Sequence, residues 1–290
     1  MSVLIVYVDD IIVTGNHIEE MSMIKERLAK EFEVKDLGAL RYFLGMEFAR
    51  SKRGISVSQR KYTLDLLKEP GMLGSKPNKT PIELGDKRRM FEGSPVDKGR
   101  YQQLAGKLIY LSHTRPDIAF MVSLVSQYMH NPCQGHLNVV YRIMRYLKQK
   151  PGKCLFFKKT NERKIEVFTN ADWAGSVDDR KSTPGYCMIV WGNVVTLRSK
   201  KQTVVARSSA KAEYRAMAHG VCEAIWIKRL LEELKIEYVA PINFIVIISL
   251  PSALHIILYI MIELTHVEVD RHFIKEKIDG GIISIRYIHT

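Results

Sequence analysis

The sequence predicts an α/β (α+β) chain of more than one domain, and three observations carry that prediction. Two apolar runs rich in β-branched residues, 3–8 and 11–13, flank Asp9-Asp10 and stop at Gly15-Asn16, the pattern of a β-hairpin with acids at its tip. Apolar residues recur at helical spacing over 17–32, within 100–150 and over 208–234. Residues 155–197 hold short strand-like runs, and strands followed by a long helix make an α/β or α+β domain.

The totals bound the function. With 290 residues the chain has room for two domains with cores of their own, and 46% hydrophobic content is that of a globular protein. Forty-four Lys and Arg against 31 Asp and Glu leave +13, which calls for a polyanion partner, nucleic acid above all. Cys133, Cys154, Cys187 and Cys222 form no Cys-x-x-Cys pair, which argues against a zinc site and a disulfide framework. A reducing, intracellular location, cytoplasmic or nuclear, is expected. The first apolar run is six residues long and meets Asp9-Asp10, so no signal peptide is read there.

In chain order, two adjacent carboxylates at a hairpin turn repel unless a cation lies between them, and magnesium is the hard cation such oxygen ligands suit. Residues 17–32 are expected to form a helix with Ile18, Met21, Ile24, Leu28 and Phe32 on one face, broken by Asp36-Leu37-Gly38. Strands are expected at 42–48 and 54–57 around the basic turn Ser51-Lys52-Arg53, then a short helix at 59–68 ended by Pro70-Gly71. Residues 74–99, rich in Pro, Gly, Lys and Asp, read as a linker. Three helices follow in 100–150: one burying Leu104, Leu108 and Leu111, one from Pro116 to Met129, and one over 137–147 carrying Arg142, Arg145 and Lys148. Tyr110, Tyr128, Tyr141 and Tyr146 interleave with these basic residues, as a nucleic-acid groove would require, although a merely solvated basic face gives the same pattern. Pro151-Gly152 marks the second boundary. Strands at 155–157, 165–169, 186–191 and 194–197, with Asn193 in a tight turn, lead to a helix at 208–234. His113 and His136 read as helix-end or surface residues, and Trp173, Trp191 and Trp226 as core anchors.

With those residues in view, the chain resembles part of the Pol polyprotein of copia-type long-terminal-repeat retrotransposons, over nearly its whole length. The resemblance rests on Tyr7-Val8-Asp9-Asp10, Asp36-Leu37-Gly38 with Tyr42-Phe43-Leu44-Gly45, Pro95-Val96-Asp97 with Arg100-Tyr101, and Thr114-Arg115-Pro116-Asp117-Ile118. It continues through Ala171-Asp172-Trp173-Ala174-Gly175, Arg198-Ser199-Lys200-Lys201-Gln202, Ala212-Glu213-Tyr214-Arg215-Ala216 and Arg271-His272-Phe273-Ile274. It implies the C-terminal part of a reverse transcriptase palm at 1–95, a helical thumb or connection segment at 96–150, and a degenerate ribonuclease H-like domain at 151–290. The implied architecture is partial palm hairpins, a helical connection and a mixed sheet with helices. Tyr7, Leu44 and Gly45 would then meet nucleic acid, residues 42–48 holding the primer end, together with Arg142, Arg145 and Lys148.

Both implied reactions are in-line phosphoryl displacements served by two metal ions about 3.5–4 Å apart, held by carboxylates. Mg²⁺ is the implied cofactor, template-primer or RNA/DNA hybrid the implied partner, and deoxynucleotides the only small substrate. No membrane or defined protein partner is implied. Asp9 and Asp10 match two of three palm acids, and the resemblance puts the third upstream of Met1. In the ribonuclease H half Glu213 matches a metal acid, while Asn170 and Ile247 stand where the family has acids. Asp172, two residues from Asn170, is a candidate substitute, Lys211 adds positive charge beside Glu213, and a further acid is expected beyond Thr290.

Ile247 lies in Phe244-Ile245-Val246-Ile247-Ile248-Ser249. The codons TTT-ATT-GTG-ATA-ATA-AGT spell that segment and contain, one base out of frame, TAT-TGT-GAT-AAT-AAG, the family's Tyr-Cys-Asp-Asn-Lys. Met261-Ile262-Glu263-Leu264, as ATG-ATA-GAA-CTA, likewise contains Asp-Arg-Thr. Parts of 244–264 therefore read as out-of-frame translation, restored by His266-Val267-Glu268-Val269. This accounts for an apolar run at 242–262 long enough to suggest a membrane span but interrupted by Asn243, Pro251 and His255. Three functions stay open: an inactive retrotransposon remnant, a nucleic-acid-binding module without chemistry, and a polymerase or nuclease active with a complementary fragment.

Overall fold

The computed structural model describes residues 1–83, 90–176, 179–248 and 268–289, without the side chains of 247, 248, 268, 287 and 289. The fold is α+β, with three sheets among these residues. Strands β1 (Ser2–Tyr7) and β2 (Asp10–Gly15) pair antiparallel as a two-stranded sheet of their own. Helix α1 (Ile18–Glu31) follows and buries none of its residues. A second, antiparallel sheet runs β3 (Tyr42–Phe43), β4 (Met46–Ser51), β5 (Gly54–Ser58) and β6 (Leu155–Lys158). Strand β6, expected in the second domain, thus returns to the first half and pairs Leu155 with Val57.

Between β5 and β6 lies the helical layer: α2 (Arg60–Lys68), α3 (Lys98–Ser112), α4 (Ala119–Ser126) and α5 (Gln134–Gln149). Asp97 caps α3 by accepting from the Arg100 amide, which fixes the start of that helix inside the expected linker. Leu67, Leu108, Leu111, Ile143, Met144 and Leu147 are fully buried in its core. The helix expected over 116–129 is a 3₁₀ turn at Pro116–Ile118 and then α4, ending three residues sooner.

The third sheet holds β7 (Ile165–Asp172), β8 (Thr183–Val190), β9 (Asn193–Ser199), β10 (Ile242–Ile248) and β11 (Ile283–His289) in the order β11-β10-β7-β8-β9. Strands β7, β8 and β9 form an antiparallel meander, whereas β10 runs parallel to both β7 and β11. Helix α6 (Ser209–Glu233) packs on β7 and β8, and α7 (Glu268–Asp279) on α6. This is the mixed sheet with helices expected for the second half of the chain. Gly220 lets α6 approach closely, since a Cβ there would stand 3.0 Å from Thr169 Cγ2 and 3.1 Å from Phe244.

Several expectations are corrected. The β8–β9 turn is Trp191-Gly192, both at positive φ, while Asn193 begins β9 and exchanges two hydrogen bonds with the Lys158 backbone. Trp173 and Trp226 are half exposed, and only Trp191 packs against the core. His136 is buried, stacked on Tyr128 at 4.0 Å, with Nδ1 accepting from the Cys133 amide at 3.0 Å. No helix among the described residues is long and apolar enough to cross a membrane, and 249–262 lie outside them.

The Thr114-Arg115-Pro116-Asp117 segment explains its residue types. Thr114 donates to the Gln59 side chain at 2.7 Å. Arg115, 2% exposed, donates Nε and Nη2 to the two Asp117 oxygens at 2.9 Å each, and Nη1 to the Lys150 carbonyl at 3.1 Å. Tyr146 and Lys153 donate to the same carboxylate at 2.7 and 3.1 Å. Burial alone would raise the Asp117 pKa, but the donors from Arg115, Tyr146 and Lys153 outweigh it and hold the carboxyl well below the usual range. A depressed folded pKa stabilises fully above the unfolded value and is lost as pH falls below it. Asp117→Asn should therefore cost about 3–5 kcal/mol at pH 7 by leaving Arg115 buried and unpaired. Urea unfolding should show that gap closing only below the ordinary carboxyl pKa of 3.8. A loss under about 1 kcal/mol at pH 7 would reduce the network to an exposed pair.

Candidate functional site

Tyr7 pairs with Asp10, so the β1–β2 turn is Val8-Asp9 and Asp10 is the first residue of β2, not half of the tip. Val8 sits at φ 50. A positive φ at the first turn position is the geometry that matches strand twist, but for a β-branched residue it stores about 1–3 kcal/mol of strain. Both Asp9 and Asp10 are exposed, and no third His, Cys, Asp or Glu joins them among the described residues.

Beside this hairpin stands a second tight turn, Leu44-Gly45 between β3 and β4, with φ 49 and 72. Phe43 meets Tyr7 edge-on at 6.4 Å, which joins the two turns. Tyr110 of α3 donates its hydroxyl to the Leu44 carbonyl, and the Tyr62 and Tyr110 rings each lie 3.7 Å from where a Gly45 Cβ would stand. The structure thus brings Tyr7, Leu44 and Gly45 together. It also assigns Tyr110 to the Leu44 turn, where the sequence placed it in a basic groove.

In the third sheet, the β7–β10 register pairs Val246 with Thr169, so the backbone of Ile247 comes next to that of Asn170. Ser208 caps α6, whose second turn carries Glu213 across to β7. There Glu213 Oε1 accepts the Ala171 amide at 3.1 Å, while Oε2 is buried with no hydrogen-bond partner. Burial pushes the Glu213 carboxyl up to about 7, against a lesser lowering by the Ala171 amide. Glu213 thus meets β7 at the Ala171 amide beside the exposed Asn170, and the β10 backbone reaches Thr169 through Val246. By residue type, Asn170, Glu213 and Ile247 offer one neutral amide, one carboxylate and one hydrocarbon, which does not fit a pair of divalent cations. The orphaned Oε2 marks where the missing positive charge would bear.

Asp172 does not make up the deficit. Its carboxylate lies against Gly175 and lines a cleft with Phe120, Tyr128, Ser176 and Thr183, to which neither Asn170 nor Glu213 contributes. Asp172 is the last residue of β7, and its side chain lines that cleft with residues of α4.

The basic residues of α5 are also placed differently from expectation. Arg142 pairs with Glu83 at 2.7 Å and donates to Thr80 at 3.2 Å, and Lys148 donates to the Ser75 carbonyl. Sequence reasoning missed Gln202, which is buried, donates to the Ala212 carbonyl at 3.2 Å and accepts from Arg215 at 3.3 Å. The signal was the joint presence of two polar motifs, 198–202 and 212–216, which this side chain ties together.

Glu213 yields a pH prediction. A raised folded pKa stabilises fully below the unfolded value near 4.5 and is lost as pH climbs through about 7. Glu213→Gln should be neutral near pH 4.5 and stabilising above pH 7 by about 3 kcal/mol, from 1.36 kcal/mol per pKa unit. Chemical denaturation at pH 5 and pH 8 measures it, and equal stabilities at pH 8 would show the carboxylate to be well solvated.

The family described as reverse transcriptase (RNA-dependent DNA polymerase) matches residues 2–84. The Retrovirus-related Pol polyprotein from transposon RE2 of Arabidopsis thaliana is 37% identical over 99% of this chain and 20% of its own length. The chain thus spans about a fifth of such relatives. The transposon Ty5-1 protein YCL074W of Saccharomyces cerevisiae is 32% identical over 75% of this chain and 72% of its own. Among solved structures, a foamy viral protease-reverse transcriptase in complex with double-stranded DNA covers 99% of this chain and 46% of its own, at TM-score 0.52 and 14% identity, a likeness of fold. The chain belongs to the copia-type retrotransposon Pol family, as a polyprotein fragment related to reverse transcriptase and ribonuclease H.

Proposed function

We propose that this fragment binds RNA/DNA hybrid or template-primer duplex without carrying out phosphoryl transfer, in an intracellular, cytoplasmic or nuclear setting. Residues 1–95 act as the end of a palm, 96–150 as a connection and 151–290 as a ribonuclease H-like domain. The observation that carries the proposal is Glu213, buried with Oε2 unpartnered and the one carboxylate among the residues at 170, 213 and 247. Support for binding comes from the +13 charge and from the paired turns of Tyr7 and Leu44-Gly45.

A second reading is favoured by one observation. Leu4, Ile5 and Val6 are 44%, 47% and 60% exposed although they form a strand, as a palm strand would be while awaiting a covering segment. On that reading Asp9 and Asp10 join a third acid and Mg²⁺ once a fingers and palm fragment is supplied.

The two separate by experiment. Fluorescence anisotropy with a hybrid duplex should give a dissociation constant of about 10⁻⁴–10⁻⁶ M near physiological salt, weakening steeply as salt rises. Primer extension and hybrid cleavage with Mg²⁺ should both be absent. Cleavage or extension by the fragment alone would overturn the proposal. Extension only on adding the complementary fragment, and lost again in Asp9→Asn, would establish the second reading.

A further inference from the structure

We infer that residues 75–83 form a strap that occupies a phosphate-binding row on α5 and yields to a nucleic-acid backbone, an autoinhibitory contact resting on the binding reading above. Arg142, Arg145 and Lys148 follow one another at intervals of three, one side of a helix over a rise of about 9 Å. The strap supplies oxygens along that row. Lys148 donates to the Ser75 carbonyl, and Arg142 donates to Thr80 Oγ1 at 3.2 Å and pairs with Glu83 Oε1 at 2.7 Å. Asn78 is tied to the same helix through its amide, 3.2 Å from the Arg145 carbonyl. Arg145 Nε is buried with no hydrogen-bond partner in this arrangement, a donor the strap leaves unanswered. A carboxylate and neutral oxygens thus stand where phosphate oxygens would.

The strap is built to lift. Met72 and Ile82 pack on the helical core near its ends, whereas the stretch between them meets α5 through these polar contacts. The Glu83 side chain is 64% exposed, and ion pairs so open to water hold only about 0–1 kcal/mol and weaken with salt. A phosphate can take a guanidinium in a bidentate, charge-assisted grip that this strap does not offer. Lys76 and Lys79 are exposed on the strap itself and would draw a polyanion toward it.

The full chain carrying Glu83→Gln and Thr80→Ala should bind a 20-base-pair RNA–DNA hybrid about three- to tenfold more tightly, with a salt slope steeper by about 1. Its Asn78 amide should exchange hydrogen faster while the α3 and α5 amides stay protected. Adding Arg142→Ala should remove the gain. Faster exchange with unchanged or weaker binding would overturn the inference and leave the binding reading standing. Loss of binding in Lys76→Ala with Lys79→Ala, with no gain in the strap variant, would overturn it in favour of the strap as the contact surface. Failure of both parent and variant to bind hybrid would refute the binding reading itself. Glu83→Gln alone, the milder change, should shift affinity in the same direction.

Discussion

A carboxylate withdrawn from water must find positive charge or hold a proton, and this constraint divides the acids of the chain into two kinds. Asp117 is surrounded by donors from Arg115, Tyr146 and Lys153, and that closed network fastens the start of α4 to the end of α5. Glu213 is buried with one amide for company and an idle oxygen. The first arrangement is complete within the chain. The second leaves a buried carboxylate oxygen without a partner. Asp9 and Asp10 escape the constraint by staying in water.

The two halves meet their apolar requirements unequally. The helical layer and the third sheet each bury a contiguous core, and Gly220 allows α6 to settle close on β7 and β10. The β1–β2 hairpin and α1 do not: α1 buries nothing, and an isolated two-stranded hairpin is marginal in water. Its fixed points are the Tyr7–Phe43 contact and, through Leu44, the Tyr110 hydroxyl. Asp9 in the β1–β2 turn and Asp10 at the start of β2 are therefore positioned by aromatic residues of the next hairpin and helix rather than by a core of their own.

How much of this was legible in the sequence depended on the range of the interaction. Periodicity found α1, α2, α3, α5 and α6 because helices declare their buried faces locally. It could not place β6, whose partner β5 lies about a hundred residues earlier, since strand pairing is a long-range choice. The hairpin was read, but its register was off by one: Tyr7 pairs with Asp10, which takes Asp10 out of the turn. Motif residues were legible as belonging together, as with Gln202 and Arg215, without showing how. Side chains with two available partners were read worst. Arg142 and Lys148 look like a solvated basic face in sequence, and only the return of 75–83 over α5 shows what they hold. Trp173 and Trp226 were misjudged because aromatic residues bury on average without being bound to do so.

If the proposed reading holds, Asn170 and Ile247 show how such a fold can outlast its chemistry. Acids brought to one point repel each other, and that repulsion is offset only while cations are bound. Replacing one acid by a neutral amide and another by a hydrocarbon removes the repulsion and disturbs little of the packing. Asn170 is exposed on β7, and β10 keeps its parallel ladder through Ile248. Core positions have no such freedom, since Val167, Met188, Val221 and Phe244 are buried with no alternative partner in water. The fold is thus held by residues remote from the site, while the site carried electrostatic strain of its own. On the proposed reading, neutral residues at such a site are the change this architecture opposes least, and Glu213, tied to the Ala171 amide, is the carboxylate it holds.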